Sequence, residues 1–181
     1  MRVNFLAILL FAGLSGCNRQ SPAAEAKSDP AITAEIASGR QMVVELRAMA
    51  GQQGDISAAP IWLSHWGGIP GSNLQAAAVA WRDPNGHWRV EQVARMQEGH
   101  EAFGKPKVRS AALSDADAAK LDGLLGDKAL YAEPAVTPDA CTDQGQTIVS
   151  IRYRGRTHFA TLGGCASNLT ATAASMITKG L

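Results

Sequence analysis

A mostly apolar segment over residues 74–81 and a mixed apolar and polar segment over residues 87–94 flank a polar turn sequence, which predicts that the two segments form a β-hairpin. Between them lies Asp83-Pro84-Asn85-Gly86. Proline suits the first corner of a type I turn, asparagine the second, and glycine the position after it. A type I turn joins a right-twisted hairpin through a left-handed residue, so Gly86 is expected to have a positive φ.

The cross-strand register depends on the loop, and two registers stay open. A simple turn places Trp81 opposite Trp88, whereas a bulged loop shifts the partner by one residue.

A second hairpin is predicted over residues 147–162, because Val149, Ile151 and Tyr153 alternate with more polar neighbours. It is expected to turn at Arg154-Gly155.

Helical spacing appears in two segments that follow the hairpins. A helix is predicted over residues 113–126, with Ser114 as its N-cap and Asp117 completing a capping-box pattern. Gly126 stands where a left-handed C-cap is expected. Ser167 is predicted to cap a short terminal helix. The apolar stripe of the first helix consists of Ala118, Leu121, Leu124 and Leu125.

Two other segments give weaker signals. Residues 34–50 partly fit helical spacing, but Met42-Val-Val-Glu-Leu also reads as a strand, which favours a strand around 41–48. Residues 58–73 contain two prolines and several glycines among aromatic residues, which predicts irregular structure.

These elements indicate an α+β fold. Hairpins would form an antiparallel β-sheet that one or two helices cover on one face. Residues 31–181 are expected to form a single globular domain, since this length supports one hydrophobic core. The βαβ alternation of parallel nucleotide-binding folds is absent.

The N-terminal segment has the pattern of an export signal. Arg2 precedes an apolar run over residues 5–14, which ends in Leu14-Ser15-Gly16-Cys17. The run is too short to span a bilayer, which requires roughly twenty apolar residues. A short apolar region that ends in small residues is typical of a secretory signal peptide.

Leu14-Ser15-Gly16-Cys17 resembles the lipobox of bacterial lipoprotein precursors. The resemblance implies that residues 1–16 are a signal peptide and that Cys17 becomes a lipidated N-terminus. It implies further that Asn18 favours the outer membrane over the inner membrane. The alternative is an ordinary signal peptide with a coincidental cysteine.

Residues 17–30 are small and polar and would form a flexible tether, which spans about 20 Å on root-mean-square average.

Lipidation of Cys17 would leave one cysteine pair, Cys141 and Cys165. Export delivers this pair to an oxidising compartment, so one disulfide is expected, which would tie the base of the second hairpin. The alternative is two buried free thiols. No Cys-x-x-Cys or His-x-x-x-His spacing accompanies the pair, so a metal site is not expected.

The charge balance argues against nucleic acid as a partner. The chain has a net charge of +1, and removal of Arg2 with the signal peptide lowers it to zero. Nucleic-acid binding depends on cationic neutralisation of phosphates, which this chain does not supply. The expected partners are the membrane, through the lipid, and other envelope proteins.

Sequence patterns typical of catalytic sites are weak in this chain, which argues against an enzyme. No cofactor-binding motif appears either. The four histidines (His65, His87, His100 and His158) have no metal-type spacing. His100-Glu101 is the adjacent acid–base pair. Arg152, Arg154 and Arg156 gather at the second hairpin tip, where a solvated tip or a small anion-docking point would both fit.

Trp62 and Trp66 are the candidate ligand-binding residues, four positions apart in a segment rich in proline and glycine. They could line a groove for a sugar or peptide, or they could fill an alanine-rich core. The expected function is a lipid-anchored cell-envelope protein, facing the periplasm, with a binding or structural accessory role. The alternative is a periplasmic hydrolase or an inhibitor of an envelope enzyme.

Overall fold

A computed structural model describes residues 30–68, 71–137 and 145–179 of the chain. Its centre is a seven-stranded sheet in the order β4-β3-β2-β1-β6-β7-β5. Neighbouring strands are antiparallel except for the parallel pair β5 and β7. The α+β class with a mainly antiparallel sheet is therefore confirmed. The strands are β1 (Ile61–Gly67), β2 (Ser72–Arg82), β3 (Trp88–Glu98), β4 (Lys107–Ala112), β5 (Val136–Thr137), β6 (Gln146–Tyr153) and β7 (Arg156–Gly163).

The described residues also contain three α-helices and one short 3-10 helix. The 3-10 helix, at Leu130–Ala132, lies between α2 and β5. The α-helices are α1 (Pro30–Met49), α2 (Asp115–Gly126) and α3 (Leu169–Thr178). None of the helices in the described part of the chain is both long enough and apolar enough to cross a membrane.

The first predicted hairpin is confirmed as β2 and β3. Arg82 lies opposite Trp88, so the register is shifted by one residue from the one that pairs the two tryptophans. Gly86 has a φ of 85°, as predicted for the turn. The Asp83 carboxylate accepts hydrogen bonds from the backbone N–H groups of Asn85 and His87, at 2.9 and 3.0 Å. The turn is therefore specified by local chemistry.

The second predicted hairpin is confirmed as β6 and β7. Tyr153 pairs with Arg156, and the chain turns at Arg154-Gly155. Both turn residues have positive φ values, 49° and 77°. Two positive φ values define the turn that matches the twist of a two-residue hairpin.

The prediction of a strand around 41–48 is wrong, because these residues belong to helix α1. Val43 and Leu46, three positions apart on one helical face, are buried against the sheet. Burial of this face outweighs the local β preference of the two adjacent valines. Gly39 allows the close approach, since a Cβ atom there would lie 2.8–2.9 Å from side-chain atoms of Ile148 and Ser64.

The prediction of irregular structure over 58–73 is also wrong, because this segment contains β1. β1 hydrogen-bonds with β2 on one side and β6 on the other, so it lies in the interior of the sheet. Pro60 precedes the strand and Gly68 follows it, so both residues fall at its boundaries. Pairing on both sides stabilises a strand that its own sequence pattern does not predict.

Coverage of the sheet on one face is a further prediction that the structure corrects, because helices cover both faces. On one face, α2 and α3 pack on a core that includes Leu63, Trp88 and Ile151. On the other face, α1 packs on a second core that includes Trp62 and Val79. Successive strand residues point to opposite faces, and both sets of β1 side chains are apolar enough to be covered.

The helix caps agree with the prediction in part. The Ser114 side chain accepts a hydrogen bond from the Asp117 N–H at 3.1 Å, which confirms this N-cap. Gly126 is the last residue of α2 and has no positive φ, so the left-handed cap is not formed. The terminal helix is confirmed, but its cap is Asn168 and not Ser167. The Asn168 side chain reaches the Ala171 N–H at 2.8 Å.

Helix α1 contacts several strands on its face of the sheet. Near its N-terminus, Glu35 accepts a hydrogen bond from the Thr161 hydroxyl of β7 at 2.7 Å. Near its C-terminus, Arg47 forms an ion pair with Glu91 of β3 at 2.6 Å. The helix therefore ties together strands from both halves of the sheet.

Candidate functional site

A cavity of about 400 Å³ lies between α3 and one end of the sheet. Its walls come from β1, β2, β6, β7 and the turn that follows β7, with α3 on the remaining side. This volume is within the range of small-molecule sites, roughly 300–1,000 Å³. The apolar part of the lining includes Leu63, Leu74, Ala76, Leu162, Ala171 and Ala174.

The cavity exists because small side chains face each other between sheet and helix. Ala76 of β2 and Ala174 of α3 are both buried, and each ends at a Cβ atom. At the opposite end of the same face, the larger side chains of Trp88, Leu121 and Leu125 fill the core. Empty space remains where both the sheet and the helix contribute alanines to the walls.

His65 is the ionisable residue of this cavity. It lies on β1 opposite Thr147 of β6, and its Nδ1 atom is 2.9 Å from the Thr147 hydroxyl oxygen. Burial lowers the pKa of His65 below its usual value, so the neutral imidazole is favoured near neutral pH. The bond at Nδ1 orients the ring and leaves Nε2 for a ligand.

The rest of the lining carries no formal charge. None of the thirteen described residues around the cavity is Asp, Glu, Lys or Arg. Two further polar side chains, Ser175 and Thr178, already donate to backbone carbonyls of α3, at 2.8 and 3.0 Å. The arrangement therefore offers apolar side chains together with uncharged polar groups, of which the His65 ring is oriented by Thr147.

A second cavity, of about 260 Å³, lies between β3, β4, the start of α2 and the end of α3. It is smaller than the usual range of ligand sites. The side-chain amide of Gln92, one of its lining residues, donates to the Ile177 carbonyl at 2.8 Å. We therefore regard the cavity beside His65 as the better candidate for a functional site.

The structure separates the two predicted tryptophans. Both lie on the α1 face of β1, about 13 Å apart along the strand. Trp62 is 4% exposed and belongs to the core beneath α1, as the core-filling interpretation expects. Trp66 is 54% exposed and presents its ring at the surface. His65, the residue before Trp66 on β1, faces the opposite side of the sheet.

The acid–base pair His100-Glu101 lies in the turn after β3, and both residues are exposed. The Glu101 carbonyl accepts a hydrogen bond from the Gln97 side chain at 2.6 Å. The neighbouring polar contact is thus with the backbone of Glu101 and not with its carboxylate. This environment does not resemble a desolvated catalytic pair.

The remaining histidines have separate surroundings. His87 is exposed at the first hairpin turn, 3.7 Å from the Asp83 carboxylate. His158 is buried on β7 and meets the ring of Tyr131 edge-on. Burial lowers the pKa of His158, which favours its neutral form. In the described residues, no cluster of three or more His, Cys, Asp and Glu side chains could hold a metal ion.

The arginines of the second hairpin contact neighbouring residues of the domain. The Arg152 side chain donates to the Ser57 carbonyl. The guanidinium groups of Arg154 and Arg156 lie 5.1 and 5.4 Å from the ring centres of Tyr153 and Tyr131. These contacts are typical of a hairpin tip that packs its cations on local aromatic rings.

The predicted covalent sites fall mainly outside the described residues. Cys17 and Cys141 lie there, whereas Cys165 lies in the turn after β7.

The sequence did not single out His65, and the signal that reveals it is its register with Thr147, a residue 82 positions away. Periodicity within one segment does not contain this information.

Comparison of the chain with known protein families, curated proteins and solved structures finds no match.

Proposed function

We propose that this chain is a lipid-anchored cell-envelope protein whose folded domain has a binding role. The single observation that carries the anchor is Leu14-Ser15-Gly16-Cys17 at the end of an apolar run, which resembles a lipobox. Cys17 would carry the lipid and face the periplasm, with the outer membrane favoured by Asn18. Two or three acyl chains anchor a protein stably, whereas one chain binds only marginally.

The geometry of the domain is compatible with this attachment. Helix α1 begins at Pro30, so twelve residues separate Cys17 from the first described helix. A tether of this length spans about 20 Å on average and would hold the domain near the membrane. The cavity beside His65 supports a binding role, because it combines adequate volume with one oriented polar group.

Replacement of Cys17 with serine is expected to abolish lipid attachment, because a hydroxyl does not form the thioether. The measurement is incorporation of radiolabelled palmitate by cells that express the full chain. The chain with both Cys141→Ser and Cys165→Ser is the matched control, and it is expected to retain the label. Label on the Cys17→Ser protein would contradict the anchor.

We also propose a disulfide between Cys141 and Cys165. Thr137 at the end of β5 pairs with Leu162 of β7 in parallel, so the chain leaves both strands in the same direction. Cys141 follows Thr137 by four residues, and Cys165 follows Leu162 by three. A bridge there would join the edge strand β5 to the second hairpin.

Thiol counting on the unfolded, unreduced mature chain is expected to find neither cysteine free. Reduction is expected to lower the melting temperature, since the bridge contributes about 3–4 kcal/mol by restricting the unfolded chain. Two thiols that react without prior reduction would contradict the pairing.

A further inference from the structure

The chemistry of the cavity beside His65 restricts the ligands that it can accept. A charged ligand would lose part of its hydration on entry, and the lining offers no opposite charge to compensate for this loss. The buried walls contributed by Leu63 and Ala76 favour apolar groups instead. The ligand that fits is therefore uncharged and has an apolar part.

The His65 side chain in the cavity indicates one further property of the ligand. The contact between His65 and Thr147 occupies Nδ1, so Nε2 is the position for a ligand hydrogen bond. Nε2 is a donor in one neutral tautomer and an acceptor in the other. A hydroxyl group both donates and accepts, so it matches either tautomer.

We infer that this cavity binds an uncharged small molecule that has an apolar part and a hydroxyl group, and that the hydroxyl group hydrogen-bonds to His65. The inference specifies the ligand class for the binding role proposed above. It does not depend on the lipid anchor, because palmitate labelling tests Cys17 separately.

Photoaffinity labelling of the protein, expressed from the full chain and purified in detergent, provides the test. The probe is a medium-chain primary alcohol that carries an alkyl diazirine, and cross-linked residues are mapped by mass spectrometry. Residues around the cavity are expected to carry the label, above all on α3 and β1. The carboxylate of the same chain is expected to label them much more weakly. Equal labelling by both probes, or label spread evenly over the surface, would overturn the inference.

Two helix variants separate cavity binding from general adsorption to the protein. Ala171→Leu places a larger side chain at the cavity wall and is expected to reduce labelling to background. Thr172→Leu changes a half-buried α3 residue outside the lining and is expected to leave labelling unchanged. Thermal unfolding monitored by circular dichroism establishes that both variants fold. Undiminished labelling of a folded Ala171→Leu protein would overturn the inference.

A third variant tests the hydrogen bond. His65→Phe keeps an aromatic ring but removes the ring nitrogens, so labelling by the alcohol is expected to fall about threefold to tenfold. Labelling by the matched alkane, which lacks the hydroxyl, is expected to stay the same. An equal loss for alcohol and alkane would show that His65 acts by shape alone, and it would overturn the assigned role of the hydroxyl group.

Discussion

Replacement of Arg47 with methionine is expected to lower the free energy of unfolding by about 3–5 kcal/mol. Arg47 and Glu91 are 9% and 8% exposed, and their ion pair joins α1 to β3 at 2.6 Å. Arg47 also donates to the Gly54 carbonyl at 3.1 Å. Without the guanidinium, the Glu91 carboxylate would be buried without its partner. Urea unfolding of the purified protein measures the effect.

The matched control on the same helix is Arg40→Met. Arg40 lies 3.9 Å from Asp55, and both side chains are more than half exposed. An exposed pair of this kind contributes about 0–1 kcal/mol, so this variant is expected to unfold almost as the parent does. The double variant Arg47→Met/Glu91→Leu is expected to recover stability, since no unpaired charge is left. Equal stability of the Arg47→Met variant and the parent would contradict the role of the buried pair.

Replacement of Trp88 with alanine is expected to destabilise the domain by about 3–5 kcal/mol, the typical cost of truncating a buried tryptophan. Trp88 is 1% exposed in the core between the sheet and α2. Its Nε1–H group donates to the Asp122 carboxylate of α2 at 3.0 Å, and the Arg82 guanidinium lies 4.8 Å from the ring centre. The loss would therefore combine a cavity with a lost link to α2.

Two variants divide this effect into parts. Trp88→Phe keeps most of the buried ring but removes the hydrogen bond to Asp122, so an intermediate loss of stability is expected. Trp66→Ala truncates the exposed tryptophan and is expected to change stability little, because this ring is 54% exposed. A Trp88→Ala protein that is as stable as Trp66→Ala would show that Trp88 is not a central core residue.

Local signals in the sequence predicted the parts of the fold that short segments control. The Asp83–Gly86 turn and the Arg154-Gly155 turn contain the residues that their backbone conformations require. Ser114 likewise caps α2 through a side chain that accepts from the N–H group three residues further on. These interactions are formed within a few residues, so they can be recognised without knowledge of the tertiary structure.

Segments whose conformation depends on distant partners were predicted poorly. Residues 41–48 carry both helical and strand signals, and contact of Val43 and Leu46 with the sheet decides for the helix. The strand β1 lies in the sheet between β2, which follows it closely in sequence, and β6, which is far along the chain and completes its pairing. Both outcomes reflect the stabilisation of secondary structure by packing and pairing between remote segments.

The candidate site likewise depends on contacts between remote segments that the sequence pattern does not predict. The sequence drew attention to Trp62 and Trp66 because large aromatic side chains stand out in an alanine-rich chain. The cavity instead depends on what is missing, since Ala76 and Ala174 leave space between a strand and a helix. Small residues on two remote segments form a cavity only when the fold places them opposite each other.

The sequence by itself determined the turns, the hairpins around them and the N-cap of α2, because these features depend on backbone preferences and neighbouring side chains. The tertiary structure decided which faces of the sheet are covered, which tryptophan is buried, and where His65 meets Thr147. These properties arise from burial and pairing across dozens of residues, which periodicity within one segment does not encode.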